Sequence, residues 1–71
     1  MQGFGGDKVN LSNNVKKIRK LKKLTLKETA KKTGVSHQMI SQIETGKKHP
    51  SLETLIKIAD AFDCSLDDLV R

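Results

Sequence analysis

A run of small polar side chains between residues 36 and 42 carries the clearest chemistry in this chain. Ser36, His37 and Gln38 are consecutive, and Ser41 and Gln42 follow about one helical turn later. Hydroxyl and amide groups both donate and accept hydrogen bonds. On one face of a helix, they match the donor and acceptor pattern that base edges present in the major groove of DNA. The predicted base-reading residues are Ser36, His37, Gln38, Ser41 and Gln42.

The apolar and glycine residues around this run predict two short helices joined by a tight turn. Ala30, Gly34, Ile40 and Ile43 follow one another at offsets of four, six and three residues. Gly34 can take the left-handed backbone that ends a helix. Ala30 is small, which would let the next helix cross closely. The second of these helices would present the polar run to its surroundings.

Helix start signals divide the chain further. Serine or threonine precedes each apolar stretch, and an acidic residue three positions later completes a capping box at Thr25 and Ser65. The predicted N-caps are Ser12, Thr25, Ser36, Ser51 and Ser65. The predicted helices cover about residues 13–22, 26–33, 37–44, 52–62 and 66–70. We therefore expect an all-α fold.

Apolar residues recur at three- and four-residue steps in these segments, which predicts their inward faces. The predicted inward residues are Val15, Ile18 and Leu21 on the first helix, Leu26, Ala30 and Thr33 on the second, Ile40 and Ile43 on the third, Leu52, Leu55, Ile58, Ala59 and Phe62 on the fourth, and Leu66, Leu69 and Val70 on the last.

The charges are unevenly distributed along the chain. Residues 1–48 hold twelve of the fourteen basic residues and three of the eight acids, a balance of +9. Residues 49–71 hold the remaining two basic and five acidic residues, a balance of −3. A lysine-rich solvated face is the simplest explanation of such a charge, but beside a polar helix this asymmetry favours a polyanionic partner.

Length and composition limit the other possibilities. Seventy-one residues make one small domain, which we place at residues 12–71 behind a flexible, glycine-containing arm at 1–11. The single cysteine, Cys64, fits a reducing compartment and a place in the core. No apolar run is long enough to span a membrane. Neither histidine has metal-ligand spacing, and no nucleophile–base set appears, so we expect no enzyme, cofactor, metal or small-molecule ligand.

The chain resembles the phage repressor/Cro-like (xenobiotic-response-element type) helix-turn-helix DNA-binding family over about residues 13–70. The resemblance rests on VKKIRK, LTLKETA, TGVSHQMISQIETGKKHPS and LETLIKIADAFDCSLDDL. It implies a compact five-helix lambda-repressor-like domain whose recognition helix, residues 36–45, lies in the major groove. It also implies a partly buried ion pair between Arg19 and Glu44, which would tie the first helix to the recognition helix.

Four residues depart from the pattern of that family. Leu26 stands where many relatives have a glutamine that contacts a phosphate, and Thr29 replaces a usual core leucine. Lys23 and Asp63 stand where glycines commonly close helices. Either those two turns differ, or a non-glycine residue accepts a left-handed backbone.

Phosphate contacts are expected on both sides of the recognition helix. The N-terminus of the preceding helix favours an anion through its free amides and dipole, and a basic loop follows residue 44. The predicted phosphate-contacting residues are Thr25, Lys27, Thr45, Lys47, Lys48 and His49. Such contacts would fix register and affinity but carry no sequence information.

The leading hypothesis is a transcriptional repressor that binds a palindromic operator as a homodimer, because one such domain reads only a few base pairs. Leu66, Leu69 and Val70 are the predicted dimer surface, although they could equally be buried within the monomer. The alternatives are a protein-binding adaptor or antitoxin-type module, or the DNA-binding end of a longer regulator. We expect a cytoplasmic protein of bacterial or phage type, associated with the nucleoid when bound.

Overall fold

Five helices make up the described part of this chain. The computed structural model describes the backbone of residues 3–71 and the side chains of residues 10–71. The helices are α1 (Gly3–Leu21), α2 (Leu26–Thr33), α3 (His37–Glu44), α4 (Leu52–Phe62) and α5 (Leu66–Val70). No strand occurs within the described residues. The prediction of an all-α, five-helix fold is therefore confirmed, and so are the bounds of α2 to α5. No helix in the described part is long and apolar enough to cross a membrane.

The predicted start of the first helix was wrong. We expected it near residue 13 behind a cap at Ser12, but α1 begins at Gly3 and runs through Ser12. Leu11 lies four residues before Val15 and is only 3% exposed, so the apolar stripe extends one turn further towards the N-terminus. The side chains of residues 1–9 of the predicted arm lie outside the described part, and Leu11, its last residue, belongs to the core.

Local side-chain caps set the other helix starts. The Thr25 hydroxyl accepts from the amide of Glu28 at 3.0 Å, and the Glu28 carboxylate accepts from the amide of Thr25 at 2.8 Å. Ser65 and Asp68 form the same reciprocal pair ahead of α5. Each box satisfies backbone amides that a helix start leaves without an internal partner. This is why the predicted starts of α2 and α5 were accurate.

Left-handed residues terminate α1, α2 and α4. Gly34, with φ of 75°, closes α2 as predicted. At the two sites where the related family commonly has glycine, Lys23 has φ of 57° and Asp63 has φ of 55°. The turns therefore keep the left-handed geometry despite a side chain, at a cost of roughly 1–2 kcal/mol each.

Aliphatic side chains from α1, α3, α4 and α5, together with Phe62, form the core. Its fully buried apolar members are Val15, Ile40, Ile43, Ile58, Phe62 and Leu69. Four predicted inward residues are instead on the surface: Leu21 is 70%, Leu52 64%, Val70 41% and Leu66 36% exposed.

The predicted dimer surface on α5 also needs correction. Leu69 is completely buried and packs within the monomer, whereas Leu66 and Val70 are 36% and 41% exposed. The side-chain Nδ2 of Asn14 on α1 donates to the Leu69 carbonyl at 3.0 Å, which holds α5 on α1. Leu69 is therefore a core residue and not available to a partner.

The buried face of α2 is polar, which confirms the prediction for Thr33 but not for Leu26 and Ala30. Leu26 and Ala30 are only partly buried, and the buried residues are Thr29 and Thr33. The Thr33 hydroxyl donates to the Thr29 carbonyl at 2.8 Å and accepts from the amide of Val35 at 3.1 Å. The Thr29 hydroxyl oxygen is buried and has no hydrogen-bond partner among the described residues.

One arginine connects three segments of the fold. The Arg19 guanidinium forms two hydrogen bonds with the Glu44 carboxylate, Nε to Oε2 at 2.6 Å and Nη2 to Oε1 at 3.1 Å. Its remaining terminal nitrogen, Nη1, donates to the carbonyl of Leu24 at 2.7 Å. The two side chains are 12% and 6% exposed. The end of α1, the loop before α2 and the end of α3 are thus held by one planar group.

Thr29→Val should stabilise the protein. The change replaces an unpaired buried hydroxyl with a methyl of nearly the same shape, so we expect the free energy of unfolding to rise by about 1 kcal/mol. Thr33→Val is the matched control, because it removes a hydroxyl that makes hydrogen bonds and should destabilise. Urea unfolding followed by circular dichroism measures both. Equal destabilisation by the two variants would contradict the finding that the Thr29 hydroxyl is unpaired.

Arg19→Met should destabilise strongly, because it leaves the Glu44 carboxylate buried without its partner. The expected loss is about 3–5 kcal/mol, and the double variant Arg19→Met/Glu44→Met should recover part of it. The exposed pair of Arg71 with Asp67 is the control, since Arg71→Met should cost less than about 1 kcal/mol. If the double variant loses as much free energy of unfolding as Arg19→Met and Glu44→Met lose together, the two residues are not coupled.

Candidate nucleic-acid interface

The polar residues of α3 line an open depression beside the start of α2. His37, Gln38, Ser41 and Gln42 face this space together with Leu26, and it encloses about 480 Å³. His37 and Gln38 are exposed, whereas Ser41 and Gln42 are half-buried. The structure therefore brings four of the five predicted base-reading residues onto one accessible surface.

The inner face of α3 fixes the direction of this surface. Ile40 and Ile43 are fully buried, and Met39 packs partly against the same core. Met39 therefore packs inward and does not line the depression. Because the buried residues recur every three to four positions, the polar residues between them must point away from the core.

Two of the predicted contact residues already use their hydroxyl groups. The Ser36 hydroxyl caps α3 by accepting from the amide of Met39 at 3.1 Å, and it is not among the residues lining the depression. The Thr45 hydroxyl donates back to the carbonyls of Ser41 and Gln42 at 3.1 and 3.2 Å. Ser36 keeps its hydrogen for a ligand, but Thr45 must turn before it can donate to a phosphate.

The start of α2 offers backbone donors rather than a full anion site. The capping box occupies the amides of Thr25 and Glu28. The amides of Leu26 and Lys27 occupy the first two helical positions, which have no intrahelical partner. These two amides, the Thr25 hydroxyl hydrogen and the exposed Lys27 ammonium can donate to a phosphate.

A tightly hydrogen-bonded loop follows α3 and carries the basic residues. The amides of Lys47 and Lys48 both donate to the carbonyl of Gln42, at 2.9 and 3.2 Å. Gly46 makes this return possible with φ of 78°, a conformation that a side chain would strain. Both lysine side chains are exposed. Their backbone position is therefore fixed relative to the polar face of α3.

His49 is constrained by the residue that follows it. Its Nδ1 lies 3.2 Å from the Pro50 carbonyl oxygen. Because a carbonyl can only accept, Nδ1 must carry the hydrogen in this contact, and the neutral ring then leaves Nε2 as an acceptor. Nε2 can therefore donate to a phosphate while this contact is kept only if both ring nitrogens carry a hydrogen.

Apolar periodicity predicted only part of the position of Leu26. Leu26 was expected to face inward, yet it lines the depression while packing partly against the core. The signal was the family resemblance, because many relatives have at this position a glutamine that contacts a phosphate. The carbonyl of Leu24 as a partner of Arg19 was also missed, since no side-chain pattern reports a backbone acceptor.

Cys64 takes no part in this surface. It is partly buried and packs against the core, and its amide donates to the carbonyl of Ala59 at 3.0 Å. Burial raises the pKa of its thiol, and the nearby Asp68 carboxylate raises it further. Both effects favour the protonated thiol over the reactive thiolate.

Comparisons with known proteins agree with this geometry. The family described as Helix-turn-helix (HTH_3) matches residues 15–69. The chain is 42% identical over 60 residues to YqaE of Bacillus subtilis, an uncharacterized HTH-type transcriptional regulator, covering 84% of this chain and 52% of that protein. It is 37% identical over 62 residues to RstR of Vibrio cholerae, a cryptic phage CTXphi transcriptional repressor, covering 87% and 52%. The chain thus spans about half the length of these two relatives.

The fold is also that of a solved regulator structure. The restriction-modification controller protein C.AhdI from Aeromonas hydrophila superposes with a TM-score of 0.85 at 25% identity, covering 89% of this chain and 96% of that chain. The resemblance to the Cro-like proteins is therefore confirmed. This chain belongs to the helix-turn-helix family of DNA-binding regulators, which are not enzymes.

Proposed function

We propose that this chain binds double-stranded DNA sequence-specifically and regulates transcription, with residues 36–45 in the major groove. The observation that carries the proposal is the depression in which four polar side chains of α3 meet the start of α2. These groups stand on a helix whose other face is buried and whose end is held by the Arg19–Glu44 pair. A rigidly held row of donors and acceptors is what direct readout of base edges requires.

Gln38 is the principal base-reading residue in this proposal. It is exposed in the first turn of α3, where its amide can bond adenine through N6 and N7. Gln42 lies one turn later in the same depression and reads a neighbouring base pair. Adjacent bases or phosphates are contacted by the hydroxyls of Ser36 and Ser41 and by the imidazole of His37.

Phosphates bind on either side of these bases. The start of α2 supplies Thr25, Lys27 and free amides, while the loop after α3 supplies Lys47, Lys48 and, when protonated, His49. The two groups of donors flank the depression in sequence and are anchored to α2 and α3 by backbone hydrogen bonds. Thr45 contributes after its hydroxyl turns away from α3.

The regulator acts as a repressor and as a homodimer on a palindromic operator in this proposal. The name of RstR as a transcriptional repressor supports the direction of regulation. A single domain of this size reads too few base pairs for useful specificity, which supports two copies on two half-sites. Leu66 and Val70 remain exposed on α5 and are the proposed contacts between copies, without Leu69.

A role as the DNA-binding end of a longer regulator has support of its own. The chain covers only 52% of YqaE and 52% of RstR. In that case, the same surface of α3 binds DNA, and additional chain supplies dimerisation or sensing.

Selection of bound sequences from a random DNA pool tests the proposal. The protein should select one motif, present as two half-sites whose centres lie about 34 Å apart if two copies bind. Gln38→Ala and Gln42→Ala should each weaken binding to the selected site by about tenfold or more, because a bidentate base contact contributes about 1–3 kcal/mol of discrimination.

Asn13→Ala is the matched control for these variants, since Asn13 is an exposed amide on α1 outside the depression. It should bind the selected site as the unchanged protein does. Enrichment of no motif would overturn the proposal. Equal effects of Asn13→Ala and Gln38→Ala would overturn the assignment of base reading to α3.

Salt dependence tests the phosphate contacts separately. If a dimer neutralises roughly 8 phosphates, the slope of log affinity against log salt should be about −7, and each lost contact should flatten it by about 0.9. Lys47→Ala/Lys48→Ala should flatten the slope equally for the selected site and for unrelated DNA. Lys16→Ala/Lys17→Ala removes the same charge from exposed positions on α1 and should flatten the salt slope less. Equal flattening by both pairs would show that only net charge matters.

A further inference from the structure

Leu26 differs in chemistry from the other residues of the depression. Among the described residues that line it, Leu26 alone is apolar, and the other four offer amide, imidazole or hydroxyl groups. Part of its side chain packs against the core, and the remainder faces the depression. An apolar group at this place cannot hydrogen-bond a phosphate or a base heteroatom. Any contact of this side chain with DNA would therefore be an apolar one.

The position of Leu26 is well defined by its neighbours. It is the first residue of α2, directly after Thr25, whose capping box with Glu28 fixes the helix start. On the other side, Arg19 holds the loop before α2 through the Leu24 carbonyl. The side chain is consequently held beside α3 by a rigid backbone, which is needed for a contact that discriminates between bases.

The major groove presents one apolar group that such a side chain can recognise. Thymine carries a C5-methyl group on its groove edge, next to the donor and acceptor atoms of the paired adenine. Gln38 and Gln42 have the amide chemistry that suits adenine. A thymine methyl near those adenines would therefore meet Leu26, while a cytosine or guanine edge there would lose water without gaining a hydrogen bond.

We propose that Leu26 is a specificity-determining residue that packs against the C5-methyl group of one thymine in each half-site. This inference rests on the proposed DNA-binding function and extends it, because it assigns base selectivity to the helix before the recognition helix. It also explains how a leucine serves where many proteins of this type have glutamine: the position exchanges a polar contact for an apolar one.

Replacing single thymines of the selected site with uracil tests the inference, because uracil lacks only the methyl group. One thymine position in each half-site should be sensitive. Its replacement should weaken binding about fourfold per half-site, and about fifteenfold when both symmetric positions are changed, as expected for one buried methyl each. In Leu26→Ala and Leu26→Gln, the thymine and uracil forms of that position should bind equally.

Leu52→Ala is the matched control. Leu52 is likewise the first residue of a helix after a serine or threonine cap, and it is 64% exposed outside the depression. This variant should keep the uracil sensitivity of the unchanged protein. Leu26→Gln keeps a long side chain at the helix start, so it provides the comparison if Leu26→Ala unfolds.

The outcomes separate the inference from the function on which it rests. Selection of a motif that has no uracil-sensitive position, or sensitivity that persists in both Leu26 variants, would overturn the role of Leu26 and leave DNA reading by α3 intact. Failure to select any motif would overturn both proposals. A fourfold effect that disappears in Leu26→Ala and Leu26→Gln but remains in Leu52→Ala establishes the methyl contact.

Discussion

The orientation of α3 depends above all on the hydrogen bonds of Arg19. An isolated helix of eight residues is not stable in water, so α3 takes its structure from what it packs against. Its buried isoleucines set which face points outward, but apolar packing alone permits small rotations and slides. The planar guanidinium, bonded to both Glu44 oxygens and to the Leu24 carbonyl, accepts only one arrangement. A buried pair of this kind contributes more to geometry than to net stability.

The helices of the domain do not pack equally well against one another. Apolar side chains of α1, α3, α4 and α5 interlock, whereas α2 presents threonines to the interior and leaves the Thr29 hydroxyl unpaired. The left-handed lysine and aspartate at the ends of α1 and α4 add backbone strain. These features lie outside the depression, so they lower the stability of the domain without altering the residues that face a ligand.

Local signals made α2 to α5 predictable from sequence. A serine or threonine cap, its acidic partner and a closing glycine act within a few residues, as at Thr25, Glu28 and Gly34. The start of α1 was not predictable in this way, because no serine, threonine, aspartate or asparagine precedes Gly3 in the sequence. Periodicity also failed to separate Leu69 from Val70: consecutive helical residues point about 100° apart, and only tertiary packing decides which one is buried. For the same reason, the depression itself could not be foreseen, since it exists only where α2 and α3 meet.

The uneven charge distribution has a consequence for the speed of binding. Asp60, Asp67 and Asp68 are exposed on α4 and α5, and α5 packs mainly on α1 and α4, whereas Lys47 and Lys48 are exposed beside α3. In the field of DNA, such a separated pair of charges experiences a torque that turns the basic side forward. Fields of this type change association rates much more than the lifetime of the bound state. The aspartates thus help to orient the protein during its approach, although none of them needs to touch DNA.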